Sequence, residues 1–184
     1  MSELIHKQLV EAAILALAKP LSIKFLQHTV LAPYKLKKAD VVAILDSLIL
    51  DYQDKGIVLI ETASGYSFVT RPELSDALSC LWQERSPKYS KALLETLAIV
   101  AYRQPITRGE IEHIRGVAVS SHIMKTLVER QWVKNVGQKD VPGKPSLYGT
   151  TKEFLDYFGL TTLSQLPTLK ENQLEDAISA FEQQ

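Results

Sequence analysis

Residues 90–108 read Ser-Lys-Ala-Leu-Leu-Glu-Thr-Leu-Ala-Ile-Val-Ala-Tyr-Arg-Gln-Pro-Ile-Thr-Arg, and the fold follows from this stretch. Leu93, Leu94, Leu97, Ala98 and Ala101 recur at the three-and-four spacing of an amphipathic helix. That helix should stop near Arg103, because Gln104 precedes Pro105 and a residue before proline is driven out of the helical region. Thr107 then opens a second helix, forming with Glu110 a capping box in which each side chain satisfies the other's free backbone N–H. Gly116 can adopt the left-handed conformation that closes this helix after Arg115. A third helix is predicted from about Val119 to Arg130, with Val119, Ile123, Leu127 and Val128 on one face. Trp132 to Val136 and Pro145 to Thr150 read as strands joined by the Gly- and Pro-bearing loop 137–144. Three short helices followed by a hairpin are the plan of a winged helix.

The first half repeats this plan. Leu4, Ile5, Leu9, Val10, Ala13, Ile14 and Leu17 describe an apolar stripe on a helix that ends before Pro20. Pro20-Leu21-Ser22 stands to Leu26 as Pro105-Ile106-Thr107 stands to Ile111: a proline break, an apolar residue, a hydroxyl N-cap, and an apolar residue four positions on. A longer helix is expected over Lys37 to Asp54, burying Val41, Ile44, Leu45, Leu48 and Ile49 and closed by Gly56. Ile57 to Thr62 and Tyr66 to Thr70 should pair as a hairpin about Ser64-Gly65. The fold class is therefore mainly α with small β-hairpin wings (α+β), in two tandem winged-helix domains at 1–84 and 88–160.

Pro72 to Trp82 reads as a short helix, and the proline and charges of Glu84 to Lys88 mark the domain boundary. Lys152 to Phe158 should make a short helix ended by Gly159, and Leu163 to Pro167 should be extended. Within 161–184, Thr168 and Glu171 form another candidate capping box, for a helix reaching about Phe181. Glu171, Glu175, Asp176 and Glu182 make this tail acidic, while Leu174, Ile178 and Phe181 share one face. Both a frayed terminus and a partner-docking segment fit that pattern.

Composition limits the function classes. With 46% hydrophobic and 23% charged residues among 184, the chain suits one or two compact domains. Its start carries Glu3 and Glu11 and lacks a basic lead into an unbroken apolar core, so it does not read as a signal peptide. No apolar run approaches the roughly 20 residues needed to cross a bilayer. Cys80 is the only cysteine, which excludes an intrachain disulfide and suggests a reducing, cytoplasmic setting. The four histidines, His6, His28, His113 and His122, have no cysteine pair or carboxylate at metal-ligand spacing. Ser120-Ser121-His122 is no triad, since neighbouring helical residues point apart. Glycines fall singly at turns and helix ends, so no loop cradles a phosphate. Glu95 is expected to be a partly exposed helix carboxylate. The reading is of a non-enzymatic chain with no cofactor or metal.

Several blocks carry a family resemblance. Residues 90–108, Ile111 to Val117, Pro142-Gly-Lys-Pro-Ser-Leu-Tyr-Gly-Thr-Thr, and Phe154-Leu-Asp-Tyr-Phe-Gly-Leu resemble, in the same order, segregation and condensation protein B, the accessory subunit of the bacterial SMC–kleisin complex. The resemblance is densest from 90 to 160. It implies a role in chromosome condensation, segregation and partition, and so in the cell cycle and division. It further implies a homodimer formed through the N-terminal winged helix, and a grip by the C-terminal one on the kleisin that bridges the SMC ATPase heads. Localisation would be cytoplasmic, at the nucleoid through SMC. Implied kleisin contacts are Tyr102, Arg103, Arg115, Tyr148, and Phe154, Tyr157 and Phe158 in the segment ending at Leu160, although the aromatics could equally close a small core. Gln138 and Lys144 depart from the basic residue and the arginine expected in the wing, and Ala118 to His122 also looks unusual.

The alternative is a winged-helix transcription regulator. The second domain is locally basic: Arg103, Arg108, Arg115, Lys125, Arg130, Lys134, Lys139 and Lys144 exceed Glu110, Glu112, Glu129 and Asp140. Yet its third helix offers Ser121, His122, Lys125, Thr126 and Glu129 outside the buried stripe, with no arginine or asparagine set to read a base edge. In the first domain, Lys37 and Lys38 are followed by Asp40, Asp46, Asp51 and Asp54, which repel phosphates. DNA contact is thus expected to be weak and non-specific at most. The third helix of the first domain carries Val41, Val42, Ile44, Leu45, Leu48, Ile49 and Leu50, wider than one buried stripe. Packing within the chain or against another chain would cover it; the resemblance favours a dimer interface through Val42, Leu45, Ile49 and Leu50.

Overall fold

The computed structural model describes residues 2–81 and 89–167. They form helices with two small antiparallel sheets, an α+β fold. The chain separates into two compact units, Met1–Arg85 with Gly159–Thr161, and Ser86–Phe158 with Thr162–Gln184. Glu84 to Lys88, the capping box at Thr168, the helix to Phe181 and the acidic tail lie outside the described residues.

In the first unit α1 (Ser2–Leu17) is followed by α2 (Ile23–Phe25), which runs into a π-type turn over Leu26–Val30. The Ser22 hydroxyl caps α2 by accepting from the Phe25 N–H at 3.2 Å. After a 3-10 turn, α3 spans Lys38–Asp51, and β1 (Ile57–Glu61) pairs with β2 (Tyr66–Thr70). Leu21 joins the hairpin edge by exchanging backbone hydrogen bonds with Tyr66 at 2.9 and 3.0 Å. Gly65 permits this approach: its φ is +146°, and a Cβ there would lie 2.2 Å from the Leu21 carbonyl oxygen.

The core between α1, α3 and the hairpin comprises Val10, Ile14, Leu21, Leu26, Leu31, Val41, Leu45, Leu48, Tyr52, Leu59 and Tyr66. The expected α1 stripe is only partly the buried one. Val10 and Ile14 are inside with Leu9 and Ala13 packed against them, but Leu4, Ile5 and Leu17 are exposed and His6 takes an inner position. On α3, Ile44 is half-buried and Ile49 is exposed. That helix ends at Asp51 with Tyr52 as its cap, ahead of Gly56, which has an ordinary negative φ. The segment after β2 forms a 3-10 turn at Pro72–Leu74, α4 (Ser75–Leu78) and another 3-10 turn at Ser79–Leu81.

The second unit opens with α5 (Lys91–Arg103), capped by Ser90 and ending ahead of a cis Gln104–Pro105 bond. A two-residue strand, β3 (Ile106–Thr107), leads into α6 (Arg108–Arg115), where the Thr107–Glu110 capping box forms and Gly116 closes the helix at φ +70°. α7 spans Ser121–Glu129 with Ser120 as its cap. It buries Met124 and Leu127, whereas Val128, expected inside, is 45% exposed. β4 (Val133–Gln138) and β5 (Ser146–Thr150) complete a sheet of order β3-β5-β4. β3 was not foreseen; two residues are too few to show a strand period. α8 (Lys152–Tyr157), capped by Thr151, is followed by Gly159 at φ +65°. Leu163–Gln165 is a 3-10 turn where an extended segment was expected. Gly159–Thr161 groups with the first unit, the Ala63 N–H donating to the Leu160 carbonyl at 2.9 Å.

Candidate interaction surfaces

In the first unit a groove of about 670 Å³ runs between α1 and α3, with Leu4, Leu36, Ala43 and Ile44 along it and Lys7 and Ser47 on its border. Lys7 is fixed there, donating to the Ser47 hydroxyl at 2.7 Å and pairing with Asp51 at 2.6 Å. His6 lies beneath, 7% exposed, its ring edge-on to Tyr34 at 4.3 Å, and its Nε2 has no hydrogen-bond partner. The same two helices expose large apolar side chains: Leu4 at 63%, Ile5 at 47% and Leu15 at 48% on α1, and Ile49 at 38% and Leu50 at 68% on α3. The four residues expected at a dimer interface divide accordingly. Ile49 and Leu50 are on the surface and Val42 is half-buried, but Leu45 is wholly inside the core. The α1 residues Leu4, Ile5 and Leu15 were missed as surface. Their signal was that α1 is apolar nearly all round, which no single buried stripe accounts for.

In the second unit an aromatic cluster centres on Trp132, which is 3% exposed. The rings of Tyr89, Tyr157 and Phe158 lie 5.2, 4.6 and 5.7 Å from it. Arg130 stacks over Tyr89 at 4.7 Å and over Trp132 at 5.4 Å, and donates to the Tyr89 hydroxyl at 2.9 Å. Tyr157 is half exposed, yet burial and its hydrogen bond with Tyr89 push its hydroxyl up to about 12. The stacking holds exposed aromatic and guanidinium surface in a fixed arrangement, the property that makes tyrosine and arginine good anchors. Of this cluster, only Tyr157 and Phe158 were candidates from the sequence. Tyr89 and the Arg130–Trp132 pair come from segments far apart in the chain, with no local pattern to join them.

The other expected contacts are scattered by role. Phe154 and Phe158 are core side chains, 0% and 4% exposed, and offer a partner almost nothing. Arg115 is an internal tie: its side chain is 6% exposed, and its Nε and Nη2 donate to Glu95 Oε2 at 3.3 and 3.0 Å. Glu95 is correspondingly a partly exposed carboxylate, at 25%. The Tyr102 hydroxyl donates to the Pro167 carbonyl at 2.9 Å, and burial raises its pKa. Arg103 is exposed, and Tyr148 is half-buried on β5 between Ile106 and Asn135. Gln138 and Lys144 are both exposed in the hairpin region.

Glu110 sits where three groups favour its charged form. Lys139, the Thr107 N–H and the Thr107 hydroxyl all donate to it, lowering its pKa from 4.5 to about 2. Glu112 is lowered as well, by the Val119 N–H and Arg108. With Arg115–Glu95 and Lys125–Glu129, these pairs tie up much of the basic surplus of the second unit. No helix among the described residues is long and apolar enough to cross a membrane.

The sequence profile described as "Segregation and condensation complex subunit ScpB" matches residues 8–169. A segregation and condensation protein B homolog from Coxiella burnetii is 49% identical over 171 residues, 93% of this chain and 82% of that protein. Segregation and condensation protein B from Symbiobacterium thermophilum is 42% identical over 94% of this chain and 77% of its own length. The crystal structure of ScpB from Mycobacterium tuberculosis is 32% identical, covering 85% of this chain and 96% of that chain, with a TM-score of 0.39.

Proposed function

The chain belongs to the family of segregation and condensation complex subunit ScpB, and from that premise we propose that it is a dimeric, non-catalytic clamp on the kleisin subunit of an SMC complex. Both units are winged helices in this reading. The first joins two copies and the second holds an extended kleisin segment. Ordering that flexible segment biases how the SMC heads engage, so the protein contributes binding energy while hydrolysis stays with the ATPase.

The observation that carries the proposal is the uncovered apolar surface of the first unit. The exposed fractions of Leu4, Ile5, Leu15, Ile49 and Leu50 amount to about two and a half wholly exposed side chains. At about 1.5–3 kcal/mol each, covering them is worth about 4–8 kcal/mol per protomer. In a two-fold pair both copies contribute, giving about 8–16 kcal/mol, the same order as the cost of association. A second copy is the simplest cover, because an isologous contact needs no other surface. For the kleisin, the preset ring cluster at Tyr157, Tyr89 and Arg130 supplies the anchors, in place of the buried Phe154 and Phe158. The deciding experiment is calorimetry of the purified chain against a central kleisin fragment. Saturable heat that disappears in Tyr157→Ala supports the clamp, and no heat at tens of micromolar, about −6 kcal/mol of affinity, would end it.

The transcription-regulator reading is the weaker one. α7 presents no arginine or asparagine for base edges, and the basic side chains Arg108, Arg115, Lys125 and Lys139 are all held by carboxylates.

A further inference from the structure

The two units treat their cations differently. Between Glu11 and Asp40 the chain carries five lysines and one histidine with no carboxylate at all. Among the described residues, none of those lysines takes part in an ion pair. Folding gathers three of these groups: Lys24, His28 and Lys38 line a concavity of about 340 Å³ beside Ser22 and the β1–β2 turn, with Lys35 and Lys37 close in sequence. Glu61 is the only carboxylate among the described residues of its lining. Lys37 and Lys38 also stand at the start of α3, where Asp40 accepts from the Lys37 N–H at 2.8 Å and offsets part of the positive macrodipole. Lys24, Lys35, Lys37 and Lys38 still outnumber Asp40 and Glu61, which leaves a net positive stretch that favours anions.

We propose that this face of the first unit binds phosphates of the duplex DNA backbone without regard to sequence. The lining favours DNA phosphates over an acidic polypeptide: Lys24, His28, Lys38, Ser22 and Thr62 present ammonium, imidazole and hydroxyl groups, the donors that proteins turn towards phosphate and sugar. Gln27 is anchored by donating to the Leu36 carbonyl at 2.8 Å, and among the described residues the lining holds no arginine or asparagine to read a base edge. The contact would place the clamp on chromosomal DNA independently of how the kleisin is held.

The test is fluorescence anisotropy of the full chain with two unrelated labelled duplexes of about 30 base pairs, across about 50–200 mM salt. Three phosphate contacts predict a log–log slope of about −2.7, a loss of about 40-fold in affinity across that range, equal for both duplexes. Lys24→Glu/Lys38→Glu should weaken binding about tenfold or more at low salt and flatten the slope by about 2, while Lys125→Glu/Lys134→Glu changes it by less than about twofold. Both double variants alter exposed positions, and matching thermal melts with wild type check that they fold. Three results would overturn the proposal: no duplex binding by wild type at about 50 mM salt, equal losses in the two double variants, or polyglutamate competing as well as unlabelled duplex at equal charge.

Discussion

Replacing Arg115 by alanine separates two roles for a residue that the family resemblance placed at the kleisin. In the structure its guanidinium reaches back from the end of α6 to Glu95 on α5, donating twice to one oxygen, with 6% of the side chain exposed. At 3.0 Å and an effective dielectric near 20, the gross attraction is about 5 kcal/mol. Desolvating the guanidinium opposes much of this, and Glu95, a quarter exposed, recovers some hydration once its partner is gone. The net cost of Arg115→Ala should therefore be about 2 kcal/mol, below the 3–5 kcal/mol seen when a wholly buried pair is broken. Urea unfolding followed by Trp132 fluorescence in a Trp82→Phe background reports on the second unit. With a slope of about 1 kcal/mol/M, the midpoint should fall by about 2 M. In a double-mutant cycle with Glu95→Ala the coupling should be about 1.5 kcal/mol. A coupling below about 0.5 kcal/mol, together with lost kleisin binding at unchanged stability, would show that Arg115 works at an interface and that this reasoning is wrong.

Phe154→Ala should cost about 3–5 kcal/mol of folding stability, as a wholly buried ring does, whereas Tyr157→Ala should cost less than about 1 kcal/mol yet weaken kleisin binding about tenfold or more; chemical unfolding and calorimetry on both variants check this. Gly65→Ala should drive a methyl into the Leu21 backbone and lower the melting temperature by about 10 °C or more, while Gly109→Ala, with open space around it, should not. Glu110 binds its proton more weakly in the folded chain than in the unfolded one, so its stabilising contribution is present above about pH 4.5 and is lost as the pH falls towards 2. Glu110→Gln should flatten the acid limb of a stability–pH profile over that window and leave neutral-pH differences in stability constant; an unchanged limb would show that the capping box does not hold the charge.

Features determined within four or five residues were legible in the sequence. Ser22 and Thr107 cap helices because a hydroxyl meets an N–H three positions on, and Gly116 closes α6 because no side chain opposes a positive φ. Features assembled across the chain were not. The Arg115–Glu95 tie spans 20 residues, and the Tyr89–Arg130–Trp132–Tyr157 cluster draws on three segments. Periodicity also misled where a helix is apolar on more than one side. α1 offers Leu4 and Leu17 as readily as Val10 and Ile14, and only packing against α3 and the hairpin decides which go inside. The charge count of the second unit likewise shows cations but not the carboxylates that hold Arg108, Arg115, Lys125 and Lys139.

Light scattering of the purified chain, alone and with a central kleisin fragment, bears most directly on the clamp. The proposal requires a particle of twice the 20.6 kDa chain mass at micromolar concentration, gaining mass when the fragment is added, with Leu4→Ser/Leu50→Ser shifted to single chains. A wild-type chain that stays single at about 100 μM, well above the Kd of a specific dimer, and takes up no fragment would contradict it.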